Sequence, residues 1–328
     1  MPSDRHSARH VYAGWNPDPE ESRTCASGGT AYLLEKHFIA NRDGVVYATA
    51  FTPEKTVSVI RATTLQELEA TKGSRYVRGS FPAEIITQLK QDLQEGRSVL
   101  FIGTPCQVAG VRKLPGSLTC VDLLCHGTPP QAYLDAEITH LIGNHPYTDV
   151  RFRGNDNHDF HLSIWNGDTC LYSIEARKQP YLLAMLRGVT LMEGCYGCPF
   201  ASPERTGDIT LGDYIGLGAA DGFQVEGHNV SYISINTPEG EALYREFCQH
   251  QPAFRSVERP IPERLTYKPS ILEPTARSPL RDAFLRRLPR MGFARAIRRT
   301  LRLEILKESP IYRTLHHWGH LLRKKVKN

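Results

Sequence analysis

The chain has 328 residues, 40% of them hydrophobic and 23% charged, the composition of a soluble globular protein of one large or two smaller domains. It holds no apolar run of about 18 residues, which argues against a membrane-spanning helix. Its opening stretch, MPSDRHSARHVYAGW, lacks the apolar segment that a secretory signal needs. A cytoplasmic location is therefore expected, where cysteines stay reduced and more often bind metal or do chemistry than pair as disulfides. The net charge of +5 is uneven: from Arg277 onward 15 Lys/Arg stand against 3 Asp/Glu, so the tail is basic and the body acidic.

Residues 1–24 are polar, include Pro17 and Pro19, and read as an extended lead-in. Ser27-Gly28-Gly29 precedes a helix expected over Thr30–Ala40, where Leu33, Leu34, Phe38 and Ile39 recur at helical spacing. Val45–Phe51 reads as a buried strand after a turn at Asn41–Gly44. TTLQELEATKG is a short helix stopped by Gly73, and FPAEIITQLKQDLQEG an amphipathic helix closed by Gly96. SVLFIGTPCQVAGVRK supplies a strand at Val99–Ile102, a Gly-Thr-Pro-Cys turn and a helix start. LTCVDLLCHGTPP repeats that plan, with a strand at Leu118–Leu124 and a Cys-His-Gly turn.

This alternation predicts an α/β fold: a mixed sheet core, partly parallel, with helices on its faces and functional turns at the carboxyl ends of strands. From Val150 the texture changes. DVRFRGND, FHLSIWNGDTCLYSIE and GDITLGDYIGLG read as short strands of a smaller antiparallel section, with RKQPYLLAMLRG helical between them. HNVSYISINTPEGEALYREF reads as strand, turn and helix. Residues 276–328 form a basic helical tail broken by Pro279, Pro289 and Pro310.

Of eight cysteines, four stand in metal-ligand contexts. Cys195-Tyr196-Gly197-Cys198-Pro199 is a C-x-x-C, whose spacing lets two thiolates face one ion or one cluster, and a Cys-Pro ending also occurs in ferredoxin runs. Cys106 and Cys125 lie in turns after two successive strands. If those strands are parallel neighbours, both turns leave one sheet edge, and the C-x-x-C loop need only fold over it to complete a four-thiolate set. An iron–sulfur cluster, a zinc ion and a redox dithiol compete for these residues. Structural zinc usually takes two close-spaced cysteine pairs, and a thioredoxin-like pair would sit near the start of a βαβ unit. Cys120, Cys170 and Cys248 read as small core residues. Cys25 is open to three readings: extra ligand, reactive thiol or plain loop cysteine.

Six strings occur in order: Ser27-Gly28-Gly29, Gly73-Ser74-Arg75-Tyr76-Val77, Phe101-Ile102-Gly103-Thr104-Pro105-Cys106-Gln107, Asp122-Leu123-Leu124-Cys125-His126-Gly127, Cys195-Tyr196-Gly197-Cys198-Pro199-Phe200, and Arg205-Thr206-Gly207-Asp208-Ile209-Thr210-Leu211-Gly212-Asp213-Tyr214. From about residue 25 to about residue 270 the chain thus resembles the beta-subunit family of coenzyme F420 hydrogenases and dehydrogenases. The resemblance implies an oxidoreductase with FAD and a [4Fe-4S] cluster, passing electrons between them and a small-molecule substrate or a partner such as a ferredoxin. It implies Cys106, Cys125, Cys195 and Cys198 as cluster ligands. It places FAD near Ser27, Gly28, Gly29, Gly73, Ser74, Arg75, Tyr76, Gly103 and Thr104. The division that follows is a lead-in (1–24), a flavin-binding part (25–98), an iron–sulfur and flavin catalytic part (99–275) and the basic tail (276–328). Two features depart from the family: no ferredoxin-like cysteine repeats precede Ser27, and Arg75 stands where Lys is usual. Arg is planar and always charged, so this exchange is not neutral.

The residues carry their own physical reading. A glycine turn ahead of a helix lets backbone N–H groups approach a pyrophosphate, although Ser-Gly-Gly is equally a flexible turn. Arg75 is a candidate catalytic cation, placed to stabilise negative charge on a reduced flavin, or else a surface side chain. His126 is a candidate proton donor or hydrogen-bond partner of a cluster sulfur, or a histidine satisfied by local backbone. Asp208 and Asp213 suit bracing of the ligand loop more than acid catalysis, and Tyr196 suits either shielding or packing. The stretch 281–303 mixes Phe284, Leu285, Leu288, Phe293, Ile297 and Leu301 with arginines. It fits a membrane surface, an acidic partner or a helix packed on the body. No nucleic-acid motif is present, and no such partner is expected.

Overall fold

The computed structural model describes residues 5–153, 160–267 and 272–308. The chain runs β1 (His10–Trp15), α1 (Pro19–Ser22), α2 (Thr30–Arg42), β2 (Val45–Phe51), β3 (Val57–Ala62), α3 (Leu65–Leu68), α4 (Ala83–Gln94) and β4 (Val99–Gly103). Next come α5 (Pro105–Val111), β5 (Leu118–Leu123), α6 (Gln131–Ile142), β6 (Asp149–Arg153), β7 (Phe160–Asn166), β8 (Thr169–Glu175) and α7 (Pro180–Leu186). It ends with β9 (Ile209–Asp213), β10 (Ser231–Ile235), α8 (Pro238–His250), β11 (Arg255–Arg259), α9 (Ile261–Tyr267), α10 (Arg281–Thr300) and α11 (Arg302–Lys307).

Eight strands form one sheet in the order β11-β1-β10-β9-β5-β4-β2-β3. Its centre, β9-β5-β4-β2, is parallel, and antiparallel pairs flank it on both sides. A central strand covered on both faces must be apolar at every position rather than at alternate ones. VVYATAF and VLFIG satisfy this. Val46, Ala48, Leu100 and Ile102 meet α2 and α8 on one face. Val45, Tyr47, Val99 and Phe101 meet α4 and α5 on the other. The α2 helix starts at Gly29 (φ 79°), stops at Asp43 (φ 48°), and α4 is followed by Gly96 (φ 77°), left-handed positions that end a helical run.

The smaller antiparallel sheet, β6-β7-β8, packs with α6, α7 and α10 around Phe152, Ile164, Tyr181, Phe284 and Phe293. The expected α/β class, mixed sheet, smaller antiparallel section and helical C-terminal segment are all present. Three local readings differ. Ile209–Asp213, expected among the small antiparallel strands, lies in the large sheet, parallel to β5. The stretch 1–24 is extended, but His10–Trp15 is a strand held between β10 and β11, with Val11 and Ala13 fully buried. In the tail the break falls at Gly292 (φ 70°, ψ 170°) rather than at Pro289, which lies inside the helical run; Pro310 lies outside the described residues.

Candidate functional site

The register of the parallel strands builds the site. Gly103 of β4 pairs with Asp122 of β5, and Leu123 of β5 with Leu211 of β9. The turns after β4 and β5 therefore leave the same edge, as the sequence suggested, and Asp213 ends β9 beside them. Cys106 occupies the first turn of α5, where Pro105 stands at the start and Thr104 precedes it. The Thr104 amide donates to Gln107 Oε1 at 3.0 Å, which fixes this helix start, and Thr104 Oγ1 lies 3.2 Å from Cys106 Sγ. Cys125 follows β5, and the Gly127 amide donates to its sulfur at 3.4 Å.

Cys195 and Cys198 sit on a 3-10 turn, Glu193–Gly197, and the residue after it. This loop is tied to the Cys-His-Gly turn by the Met192 amide, which donates to the Thr128 carbonyl at 2.9 Å. Gly127 allows the approach. Its φ is +99°, and a Cβ there would stand 2.8 Å from Leu191 Cδ1 and 3.0 Å from Cys195 Cβ. The four cysteines thus come from three segments to one place. Burial pushes the Cys125 thiol up to about 12, and Cys106, Cys195 and Cys198 are near enough to raise it further. The Cys195 thiol is raised by burial and by Cys198 and Cys106, against a lowering influence of Arg78. No three of these sulfurs lie within 4.8 Å of one another. A tetrahedral zinc with bonds of about 2.3 Å holds its thiolates roughly 3.8 Å apart. A cubane cluster spreads them more widely, because each thiolate holds a different iron. The set fits a cluster better than a single ion.

The remaining cysteines stand apart. Cys25 is buried against α2, donates to the Glu21 carbonyl at 3.2 Å and is pushed up to about 12 by burial. Its charged neighbours are Lys72, Glu21, Glu35 and Glu69, with no other cysteine among them, so it is a packed loop cysteine. Cys120 is buried as expected, whereas Cys170 is exposed on β8.

The basic tail braces the cysteine loop. Arg281, buried at the start of α10, donates to the Val189 carbonyl at 2.7 Å and to Tyr196 Oη at 3.0 Å, and pairs with Glu193 at 2.8 Å. Tyr196 Oη in turn donates to the Gly188 carbonyl at 2.8 Å. Tyr196 therefore packs and anchors. Further along α10, Arg298 grips the fully buried Glu137 of α6 through two bonds of 2.6 and 2.8 Å. Arg286, Arg290, Arg295 and Arg299 line the remainder of this helix.

A cavity of about 340 Å³ opens between the Lys72–Arg75 turn and β6. Gly73, Ser74 and Arg75 line one wall, and Asp149, Arg151 and Arg153 the other. Lys72 pairs with Glu69 and Arg151 with Asp149, at 2.8 and 2.7 Å. Arg75 bonds the Ser74 and Ala70 carbonyls, and its Nε has no partner among the described residues. Burial lowers its pKa, opposed by Asp149. A guanidinium held in this way, beside three more cations, suits an anionic group such as a phosphate or an electron-rich ring edge.

Ser27 and Tyr76 reach the cavity through Arg153. The Arg153 guanidinium donates to Tyr76 Oη at 2.9 Å and to Asp213 Oδ2 at 2.7 Å, and the Ser27 hydroxyl bonds the other Asp213 oxygen. Asp213 is held below the usual carboxylate range by Arg153 and Ser27 against its burial, with His126 also in range. His126 is exposed, and its carbonyl accepts from Thr275 Oγ1 at 2.6 Å.

The two glycines of Ser27-Gly28-Gly29 do other work. The Gly28 amide donates to Ser231 Oγ at 3.0 Å and the Gly29 amide to the Ala26 carbonyl at 3.0 Å. A Cβ on Gly28 would meet the Gly14 carbonyl at 2.3 Å, so this glycine lets the loop press on β1 and β10. Gly103 and Thr104 flank Cys106 rather than the cavity. Asp208 is a brace, accepting from the Cys120 amide and Thr237 Oγ1 at 2.8 and 2.9 Å. The sequence reading missed Arg153, Arg281 and Lys72. Arg151 and Arg153, two apart on one strand face, were the signal available for the first.

An α/β sheet with four cysteines gathered at its carboxyl edge and a cationic cavity close by defines a candidate cofactor-binding redox protein. Residues 96–256 belong to the family described as the carboxy-terminal part of the coenzyme F420 hydrogenase/dehydrogenase beta subunit, and so are related to a component of an oxidoreductase. The fold is similar to that of a chain in the F420-reducing [NiFe] hydrogenase complex from Methanosarcina barkeri, solved as a xenon derivative. That match has 16% identity and a TM-score of 0.55, and covers 77% of this chain and 82% of the other. No curated protein gives a significant match. No described helix is long and apolar enough to cross a membrane.

Proposed function

We propose that this chain is a flavin-dependent iron–sulfur oxidoreductase that relays electrons between a [4Fe-4S] cluster, FAD, and a substrate or partner protein. The observation that carries this is the gathering of Cys106, Cys125, Cys195 and Cys198 from three separate segments at one sheet edge. When bound, a cluster and a flavin together supply the means to split a two-electron change into single-electron steps. The four cysteines would hold the cluster. Arg75 and Arg153 would hold anionic parts of the flavin, with Gly73 and Ser74 shaping the wall. His126, exposed beside Cys125 and in the field of Asp213, would hold or move a proton at its imidazole. Electrons would come from or go to a cytoplasmic partner such as a ferredoxin, steered by the arginines of α10.

The similar M. barkeri chain lies within a hydrogenase complex, which supports a second reading: an electron-transfer subunit whose substrate chemistry lies in another chain. The first test is anaerobic purification with assay of iron, acid-labile sulfide and flavin. Iron and sulfide near four each per chain, roughly, with releasable FAD, are expected, and Cys195→Ser should lose the iron. Stoichiometric zinc without sulfide or flavin would replace the proposal with a zinc-stabilised binding protein. Turnover by the isolated chain separates the enzyme from the electron-transfer subunit.

A further inference from the structure

On the face of the large sheet that carries α2 and α8, a second group of ligating side chains meets, away from the four cysteines. His37 of α2 and Glu246 and His250 of α8 each present one ligand atom, all within 4.8 Å of one another. His37 Nε2 lies 3.3 Å from Glu246 Oε1. A tetrahedral zinc with bonds of about 2.1 Å holds its ligand atoms roughly 3.4 Å apart, so this pair already has the spacing of two ligands.

The outer partners point the same way. Metal-bound histidines give their second ring nitrogen to a carbonyl or carboxylate, which fixes the tautomer. His37 Nδ1 faces Asn41 Oδ1 at 3.1 Å, and His250 Nδ1 faces the Glu246 carbonyl at 2.9 Å. Acceptors in both places put the proton on Nδ1 and leave a lone pair on Nε2. His37 is fully buried, and its Nε2 makes no hydrogen bond among the described residues, since it meets Glu246 at a poor angle. A buried imidazole lone pair turned on a carboxylate, with no proton between them, is unfavourable unless a cation stands there.

Arg42 bonds Glu246 through Nε at 3.1 Å and through Nη2. A carboxylate has about four lone-pair sites, so Arg42 orients Glu246 without using them all. The exposed side of His250 leaves the fourth position open to water.

We infer that His37, Glu246 and His250 form a binding site for a zinc-type divalent cation, joining α2 to α8 and independent of any cofactor at the cysteines. The test is titration of the whole anaerobic protein with cobalt(II) chloride, followed by visible absorption. Thiolates give cobalt a ligand-to-metal charge-transfer band in the near ultraviolet; nitrogen and oxygen ligands give only visible d–d bands. Expected is one equivalent of cobalt with d–d bands alone, absent in His250→Ala and in Glu246→Gln and unchanged in Cys195→Ser. Asn41→Ala should weaken binding roughly 10–100-fold. Because His250 is exposed, His250→Ala should melt as the metal-free parent does, whereas zinc should raise melting of the parent only. Bands that persist in His250→Ala, that vanish in Cys195→Ser, or that are missing from the parent would overturn the site.

Discussion

The bond between the basic tail and the cysteine loop makes a sharp prediction for Arg281→Ala. Arg281 is 6% exposed and lies with its guanidinium 4.8 Å from the Tyr196 ring. The substitution removes charge-assisted hydrogen bonds to the Val189 carbonyl and to Tyr196 Oη. At about 1.5 kcal/mol each, the low end for such bonds, the loss is about 3 kcal/mol. The pair with Glu193 is left out, because that carboxylate is solvated and its pairing is screened. For a chain of this size the loss corresponds to a melting point lower by roughly 6 °C. Thermal melting by circular dichroism reads it directly, with Arg286→Ala, on the same helix, as the control. Iron retained after cluster reconstitution should fall as well, since the loop carrying Cys195 and Cys198 loses its brace. If Arg281→Ala melts within a degree of the control, the tail does not hold the loop and the reasoning fails.

Other consequences are open to the same kind of measurement. Gly127→Ala places a Cβ 2.8 Å from Leu191 and 3.0 Å from Cys195 at φ +99°, so it should cost about 1–3 kcal/mol and lower iron content. Arg75→Ala should lower the flavin-to-protein ratio while leaving iron unchanged, because Arg75 contacts the cavity and two carbonyls rather than the cysteines; equal flavin in both proteins would remove Arg75 from the site. Glu35 is buried on α2, and burial pushes its carboxyl up to about 8, partly offset by a bond from Thr71. A raised carboxyl favours the fold fully below the unfolded pKa, near 4.5, and loses that contribution as pH rises to about 8. Urea unfolding should therefore show stability declining between these values, and Glu35→Gln should flatten the decline; an unchanged profile would show that Glu35 titrates normally.

Much of the fold was legible because its signals are local. Val45–Phe51 and Val99–Gly103 are continuous apolar runs, which only a strand buried on both faces needs. Gly96 stops α4 because a left-handed residue is required there. The four candidate ligands were legible too, since two lie in turns after neighbouring strands and two share a C-x-x-C. What escaped depends on residues distant in sequence. His10–Trp15 is a strand because β10 and β11, far along the chain, flank it, and a polar stretch with so short an alternation carries no such mark. The segment Ile209–Asp213 alternates much as β7 does, and only its pairing with β5 assigns it to the large sheet.

The amino-acid sequence by itself determined the α/β class, the strand-and-turn plan and the identity of the four cysteines, because periodicity, turn chemistry and ligand spacing act over a few residues. Tertiary structure alone decided which side chains face each other. It gave Gly28 to the packing of β1 rather than to a phosphate, linked Ser27 and Tyr76 through Arg153 and Asp213, bound Arg281 to the cysteine loop, and set His37 opposite Glu246 and His250. Such contacts join positions far apart in the chain, and their geometry follows from how the sheet and its covering helices pack, which no local pattern encodes.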